Sequence, residues 1–327
     1  MRRQALWVSV LAVCVALISA GGVWATGKQE APKPGEKQLT FYMVTHSGTD
    51  DPYWAVLNQG AMDAAQTLGV KFVFTAPTKY SVQEMVNMLS SAIDAKPDGI
   101  AVAVTVPDAM TDTLQRAVKA GIPLLNFDSR DDRGIIPYLT YVGGDEHANG
   151  HYAVVEALKQ FTPHRVIIGW HEPGHVAHET RANAVKEVLD QQHIPWVDLD
   201  ITTDLATQLQ AFTSAFQKYP DADAIYTMGP PGTIGAIKFI EQAGLTGKVK
   251  IFCQDFSPEI LDAIQKGEVL TAASQQPYLQ GVLSVVNLYT YVKYGQCPVG
   301  PVVTSVRMVT KDNVGQWIAL AAEHRAG

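Results

Sequence analysis

Short apolar runs alternate with amphipathic segments along most of this chain. The apolar runs predict nine strands, at residues 39–45, 70–76, 98–104, 122–128, 139–144, 165–170, 195–200, 223–229 and 248–255. The segments between them read as helices, and in the first of these, at 51–69, Asp51 is placed to cap the helix and Pro52 to occupy its first turn. Nearly continuous apolar runs are typical of parallel strands that helices cover on both faces. The pattern therefore predicts an α/β protein with parallel sheets.

Two stretches of the sequence echo each other. Residues 96–129 and 219–257 both start near a Pro-Asp pair, run strand–helix–strand, and reach an aspartate at the end of the second strand, Asp128 in one and Asp255 in the other. Either aspartate alone could simply cap a turn. Because open α/β sheets bind ligands outside the carboxyl ends of their strands, the matched pair favours a ligand cleft between two similar lobes.

Composition narrows the class of protein. The chain has 327 residues, of which 47% are hydrophobic and 17% charged, and its formal net charge is −7. This length suggests two domains of ordinary size. The negative balance and the absence of a lysine and arginine run argue against nucleic acid as a partner.

The N-terminal residues read as a secretory signal peptide. Arg2 and Arg3 precede an apolar stretch followed by small residues that fit a cleavage site, so residues 1–25 are predicted to be removed. An uncleaved membrane anchor and lipid attachment at Cys14 are the alternatives. Residues 26–38 hold two prolines and two glycines and predict a flexible linker. The protein is therefore expected to be exported, to the periplasm or to the cell surface.

Residues 171–175 read HEPGH and match the H-E-x-x-H motif of zinc proteases, with His178 three residues further on. That motif works when both histidines lie on one face of a helix. Here Pro173 and Gly174 occupy its centre, and inside a helix they would cost about 3 and about 1 kcal/mol. A helix is therefore expected to begin only near His178 or Glu179, and no metal site is predicted.

The same loop follows the apolar run that ends at Trp170. This position places His171 and Glu172 at the rim of the predicted cleft, where they could touch a ligand. His175 and His178 are expected to be solvated or to cap the following helix.

Several motifs occur in order along the chain: DPYWAVLNQGAMDAA, DGIAVAVTVPDAM, AGIPLLNFDS, YVGGDEHANG, HETRANAV and FCQDFSPEILDAIQKGEVLTAASQQPYLQG. Over residues 38–310 the chain thereby resembles the periplasmic sugar-binding proteins of the ribose- and galactose-binding type, the receptors of ABC importers. The resemblance implies the type I periplasmic binding protein fold, in which two Rossmann-like three-layer α/β/α lobes with parallel sheets are joined by a three-strand hinge. The N-terminal lobe would hold residues 39–142 and 276–304, and the C-terminal lobe residues 143–275 and 305–327.

Two cysteines, Cys253 and Cys297, remain after the predicted signal cleavage. In an exported protein they could pair, or they could be buried thiols. The resemblance places them in different lobes, where a disulfide would lock the hinge. Both are therefore expected to be free.

The resemblance also implies which residues bind the ligand. Tyr53 and Trp54 match an aromatic pair that stacks on the apolar face of a sugar, although one of the two could instead pack in the core. Asp128 and Asp255 match carboxylates that accept hydrogen bonds from hydroxyls, and charge-assisted bonds of this kind are about twice as strong as neutral ones. Arg181 matches a donor to sugar oxygens, with a surface salt bridge as its alternative. The remaining candidate positions are Ser47, with His46 on the same loop as its alternative, and Asp51, Trp170, His171 and Gln275.

One departure from the family pattern concerns the identity of the ligand. Where the family often has Asn-Asp after its seventh strand, this chain has Gly229 and Pro230, so one hydrogen-bonding side chain is missing. The sugar is therefore left open, and a polyol or an unusual pentose or hexose fits as well.

The expected function is that of an exported solute-binding protein, which captures a monosaccharide or related polyol and delivers it to the membrane permease of an ABC importer. A monomer without a cofactor or catalytic residues is expected, since the sequence has no signature of a hydrolase nucleophile or a phosphate-binding loop. Two alternatives remain: a secreted zinc hydrolase that uses His171 and His175, and an extracellular sugar sensor subunit for a chemoreceptor or kinase.

Overall fold

The structure is a computed structural model that describes residues 37–322. The predicted signal peptide and residues 26–36 of the predicted linker lie outside the described residues. Within residues 37–322, no helix combines the length and the apolar character needed to cross a membrane.

The first lobe is built on a six-stranded parallel sheet. Its strands are β1 (Thr40–Val44), β2 (Lys71–Thr75), β3 (Gly99–Ala103), β4 (Leu124–Phe127), β5 (Tyr141–Gly143) and β11 (Val302–Val303). They lie in the order β11-β5-β4-β3-β1-β2. Its helices are α1 (Pro52–Leu68), α2 (Val82–Asp94), α3 (Pro107–Lys119) and α9 (Pro277–Tyr294). Helix α1 packs against α9, and α2 against α3.

The second lobe is built on a similar six-stranded sheet. Its strands are β6 (Val166–Trp170), β7 (Trp196–Asp200), β8 (Ala224–Thr227), β9 (Lys250–Gln254), β10 (Val269–Ser274) and β12 (Arg307–Thr310). They lie in the order β12-β10-β9-β8-β6-β7, with β12 antiparallel to β10 and the other described pairings parallel. Its helices are α4 (Glu146–Leu158), α5 (Val176–Gln191), α6 (Leu205–Lys218), α7 (Pro230–Gln242), α8 (Pro258–Lys266) and α10 (Val314–Ala321). Helix α4 packs against α5, α6 against α7, and α8 against α10.

The chain passes between the two sheets three times, from β5 to α4, from β10 to α9, and from β11 to β12. The predicted two-lobe α/β fold is therefore confirmed. All nine strands predicted from the apolar runs are present, but the pattern missed β10, β11 and β12. Strands β11 and β12 are short edge strands, and β10 mixes small and polar residues that become buried only between its two neighbours.

The pairing of α1 with α9 depends on glycines that face the backbone of the other helix. A Cβ added to Gly281 would lie 2.1 Å from the carbonyl oxygen of Leu57, and one added to Gly60 would lie 2.1 Å from that of Tyr278. No side chain fits at these distances, so the two helices come into backbone contact. This contact fixes α1, whose first turn borders the cavity described below.

Both cysteines of the described chain are free, as predicted. Cys253 is buried in strand β9 of the second lobe. Cys297 is half-buried and follows helix α9 of the first lobe.

Candidate functional site

A small cavity lies between the two lobes, among loops that follow the carboxyl ends of strands in both sheets, and its empty volume of about 310 Å³ includes space open to solvent. Most of the residues predicted from the sequence to bind a ligand line it, namely Asp51, Tyr53, Trp54, Asp128, His171, Arg181, Asp255 and Gln275.

The two aspartates that echo each other in the sequence occupy equivalent places in the two lobes. Asp128 directly follows β4, and Asp255 directly follows β9. Both have left-handed backbone conformations, with φ of 57° and 53°, which aspartate tolerates better than most residues. This conformation ends each strand, and both buried carboxyls reach the same cavity.

Each of these carboxyls is held by hydrogen bonds from its own surroundings. The Tyr53 hydroxyl donates to Asp128 at 2.7 Å, and Ser129 Oγ donates to its other oxygen at 2.7 Å. The backbone N–H of Gln275 donates to Asp255 at 2.8 Å, and the side-chain amide of Gln275 donates to the second oxygen at 2.6 Å. The carboxylate oxygens are therefore fixed in position, with lone pairs left for a ligand.

Two of the buried carboxyls in the cavity are costly to ionise. Asp51 caps helix α1 by accepting from the N–H of Tyr53 at 3.0 Å, as the sequence predicts. Burial raises the pKa of Asp51 and of Asp255 from 3.8 to about 7, because both carboxyls lose their contact with water. Hydroxyl donors from a ligand would stabilise the ionised forms.

Arg181 is buried in an ion pair, and its alternative role in a surface salt bridge does not fit its position. Its Nε donates to the Glu146 carboxylate, and its NH1 donates to the carbonyl of Met228 at 3.0 Å. Burial alone would lower the pKa of Arg181, but the Glu146 carboxylate outweighs this effect and raises it. Helices α4 and α5, which carry the two partners, touch at Gly150, where a Cβ would lie 2.2 Å from the Arg181 carbonyl.

Glu146 was missed by the sequence analysis. It lies in the first turn of α4, beside the capping Asp145, where an acidic residue is ordinarily explained by the helix dipole. Burial raises the pKa of Glu146, and Arg181 opposes this effect. Nothing local marks Glu146 as the partner of Arg181, since the two are 35 residues apart in the chain.

The loop after β6 brings its histidines into the cavity rather than into solvent. Helix α5 begins at Val176, and His175 is its N-cap, accepting from the Ala177 N–H at 3.2 Å. The expectation that the helix begins near residue 178 or 179 was therefore wrong, and so was the expectation that His178 is solvated, since it is 4% exposed. His175 does cap the helix, as one of the two expectations had it, but it is also buried and lines the cavity.

Glu172 is the centre of this histidine cluster. Its Oε2 lies 3.3 Å from His46 Nε2, 3.7 Å from His178 Nε2 and 3.9 Å from His175 Nε2. Burial alone would raise the pKa of Glu172, but the imidazoles, His46 foremost, lower it to about 2. His46 belongs to the first lobe and Glu172 to the second, so their contact joins the two lobes.

The imidazoles of the cluster differ in protonation and in hydrogen bonding. Burial lowers the pKa of His171, His175 and His178, which favours the neutral form, whereas Glu172 raises the pKa of His46 against the effect of burial. Within residues 37–322, the Nδ1 atoms of His46, His171 and His178 are buried and have no hydrogen-bond partner. An unsatisfied buried polar group of this kind costs about 1–3 kcal/mol.

The chain matches the profile of the periplasmic binding protein domain over residues 41–296. It belongs to the periplasmic binding protein family. This assignment confirms the resemblance found in the sequence.

Relatives of known name are distant. The chain is 26% identical over 259 residues to the xylose/arabinose-binding protein XylF of Sulfolobus acidocaldarius, a match that covers 75% of this chain and 64% of that protein, slightly less than two thirds of its length. It is 24% identical over 257 residues to the D-allose-binding periplasmic protein of Escherichia coli, covering 72% and 79% of the two chains.

Solved structures share the fold over nearly their whole length. A carbohydrate transporter from Acidothermus cellulolyticus in complex with myo-inositol has a TM-score of 0.81 at 26% identity, covering 88% of this chain and all of that one. A periplasmic sugar-binding protein of an ABC transporter from Legionella pneumophila has a TM-score of 0.79 at 28% identity, covering 82% of this chain and all of that one.

Two residues expected to bind the ligand lie outside the cavity of this periplasmic binding protein. The indole N–H of Trp170 donates to Asp198 on the neighbouring strand β7 at 2.8 Å, and the Lys186 ammonium lies 5.2 Å from the centre of its ring. Ser47 is buried beside the cavity, whereas the residue before it, His46, lines it. Of the two candidates on the loop after β1 it is His46 that lines the cavity, and of the two at the end of β6 it is His171.

The departure at Gly229 has a structural reason. A Cβ at Gly229 would lie 3.1 Å from Cε1 and 3.3 Å from Nε2 of His171, closer than most Cβ contacts. A larger side chain there would require the imidazole to move by a few tenths of an ångström. This periplasmic binding protein therefore presents His171 in the space that the other side chain would occupy.

Proposed function

We propose that this protein binds a monosaccharide or a related polyol in the cavity between its lobes and delivers it to an ABC importer. The observation that carries the proposal is that the buried side chains of Asp128 in the first lobe and Asp255 in the second lobe line one cavity. A ligand that binds both lobes through hydroxyl groups would hold them together.

The lining supplies the contacts that a polyhydroxylated molecule needs. The buried carboxylates accept from hydroxyls, and bonds to charged groups contribute about 1.5–3 kcal/mol each. Arg181 has donors left beyond those that hold it to Glu146 and Met228, because a guanidinium carries five N–H groups. The ring of Trp54 offers an apolar surface, and it is held edge-on by His46 at 4.8 Å between ring centres.

Ligand capture would follow from the closure of the two lobes about their three connections. A ligand that contacts both lobes binds the closed form more tightly than the open form. It therefore shifts the equilibrium towards the closed form by the difference between the two binding free energies. The closed form would then be recognised by a membrane permease. Such a protein acts outside the cytoplasm and releases its ligand unchanged, so no catalytic residue is assigned.

The names of the relatives support the ligand class. They bind xylose and arabinose or allose by name, and one structural neighbour holds myo-inositol. All of these are small molecules with several vicinal hydroxyls.

Calorimetric titration tests the proposal. Purified protein, dialysed to remove carried-over ligand, is titrated with D-xylose, D-allose and myo-inositol, and its melting temperature is measured with each compound. At least one should bind and raise the melting temperature, because a ligand of the folded state stabilises it by mass action.

Asp255→Asn should weaken that binding about 10- to 100-fold, from the loss of one charge-assisted contact. The matched control is Asp262→Asn on the exposed surface of the same lobe, where Asp262 pairs with Lys266, and it should bind as the natural protein does. Full affinity in Asp255→Asn, or no binding of any carbohydrate in a wider panel, would refute the proposal.

A further inference from the structure

The HEPGH stretch does not form the helical zinc motif, but the fold pairs its glutamate with a different histidine. One ligand atom each from His171, Glu172 and His178 lie within 4.8 Å of one another, and all three side chains are buried. All three residues belong to the second lobe and line the cavity. Within the described residues they form a compact set of two imidazoles and one carboxylate.

His175 is less suited to this set than its position suggests. Its Nδ1 accepts from the Ala177 N–H as the cap of α5, so Nδ1 carries no hydrogen. A neutral imidazole with an acceptor Nδ1 carries its hydrogen on Nε2, which here lies 3.2 Å from Ser129 Oγ. Nε2 of His175 therefore acts as a donor, and it has no lone pair for a metal.

We propose that His171, Glu172 and His178 bind one divalent transition metal ion of the Zn²⁺ class, with an open coordination position facing the cavity. Two histidines and a glutamate are a known ligand set for zinc sites that keep one position open. Ligands at 2.0–2.1 Å around a tetrahedral ion are about 3.3 Å apart. The 3.7 Å between Glu172 and His178 is close to this spacing.

The charges and the unpaired nitrogens of the cavity favour a cation. Four carboxyls line it, while Arg181 is already paired with Glu146. The Nδ1 atom of His171 is buried without a partner within the described chain, and in His178 it is Nε2 that lies near Glu172.

The site would act together with the ligand pocket without depending on it. Because its three ligands come from one lobe, the ion would stay bound when the lobes open. His46 of the first lobe lies 3.3 Å from Glu172, and the open position would accept a hydroxyl oxygen of a bound polyol. The inference concerns the same cavity as the proposed function, but it can succeed or fail independently.

Metal binding is tested on protein purified without a polyhistidine tag and stripped with a chelator. The protein is dialysed against Co²⁺ or Zn²⁺, bound metal is measured per chain, and the visible absorption of the Co²⁺ form reports its coordination. One equivalent should bind. His178→Gln and His171→Asn should each lower the affinity at least 100-fold, since loss of a group that only hydrogen-bonds to a metal ligand already costs about 10- to 100-fold.

The controls separate this site from its neighbours. His147 and His151 are four residues apart on α4, with ring centres 6.3 Å apart, and are the obvious surface pair for an adventitious ion. The double variant His147→Ala/His151→Ala should keep its metal, and so should Asp255→Asn, which loses carbohydrate. Three results would overturn the inference: loss of the metal in His147→Ala/His151→Ala, retention of the metal in both His178→Gln and His171→Asn, or no stoichiometric binding at all. The carbohydrate titration would still test the proposed function separately.

Discussion

Removing the charge of Glu146 tests how the cavity holds its arginine. In Glu146→Gln the shape of the side chain is kept, but Arg181 loses the partner that neutralises it. Both side chains are less than 10% exposed. Breaking a buried ion pair by removing one partner costs about 3–5 kcal/mol, because the other charge is left uncompensated. At roughly 2 °C per kcal/mol for a protein of this size, the melting temperature should fall by about 6–10 °C.

The assay is thermal or urea unfolding of the ligand-free protein, with two comparisons. Glu187→Gln removes the partner of the half-exposed His147 and should change the free energy of unfolding by less than about 1 kcal/mol. Glu146→Gln/Arg181→Met removes both charges and should recover most of the lost stability, because a buried pair can be replaced by apolar groups at little cost.

Ligand binding separates stability from function in the same variants. The double variant should be stable yet bind carbohydrate poorly, because the donor is gone. If Glu146→Gln unfolds at the same temperature as the natural protein, or if the double variant is less stable than the single one, then Arg181 is not held by a buried ion pair with Glu146.

The remaining predictions concern packing and pH. Gly281→Ala should lower the free energy of unfolding by several kcal/mol, because its Cβ would lie 2.1 Å from the Leu57 carbonyl oxygen. Denaturant unfolding measures this change. A decrease of less than about 1 kcal/mol would mean that helices α1 and α9 are not in backbone contact. Asp51 and Asp255 bind protons more tightly in the folded state, with pKa values of about 7 against 3.8, so these two carboxyls contribute a loss of stability as the pH rises from about 4 to about 7. Asp51→Asn/Asp255→Asn should remove this contribution, so that between pH 5 and 7.5 the stability of the variant relative to the natural protein rises in melting curves, and an identical pH dependence in both would contradict the buried positions of the carboxyls.

Much of the architecture could be predicted from the sequence because it depends on local patterns. Apolar runs mark strands wherever they occur, and Asp51 caps α1 through a contact two residues away. The pairing of Asp128 with Asp255 was also predictable, because parallel strands end at a common edge where loop residues meet. The missed strands β10 to β12 owe their structure to neighbours that are distant in sequence.

The sequence by itself determined the order of the strands and helices along the chain, the family, and the loops that border the cavity. Only the tertiary structure decided which side chains on those loops meet. Trp170 points to β7 while His171 beside it points to the cavity, since successive residues leave a strand on opposite sides. Glu172 is buried among four imidazoles, and Glu146 against Arg181, because separate helices and both lobes meet around the same small cavity. Contacts between residues on different helices and lobes leave no pattern in the local sequence.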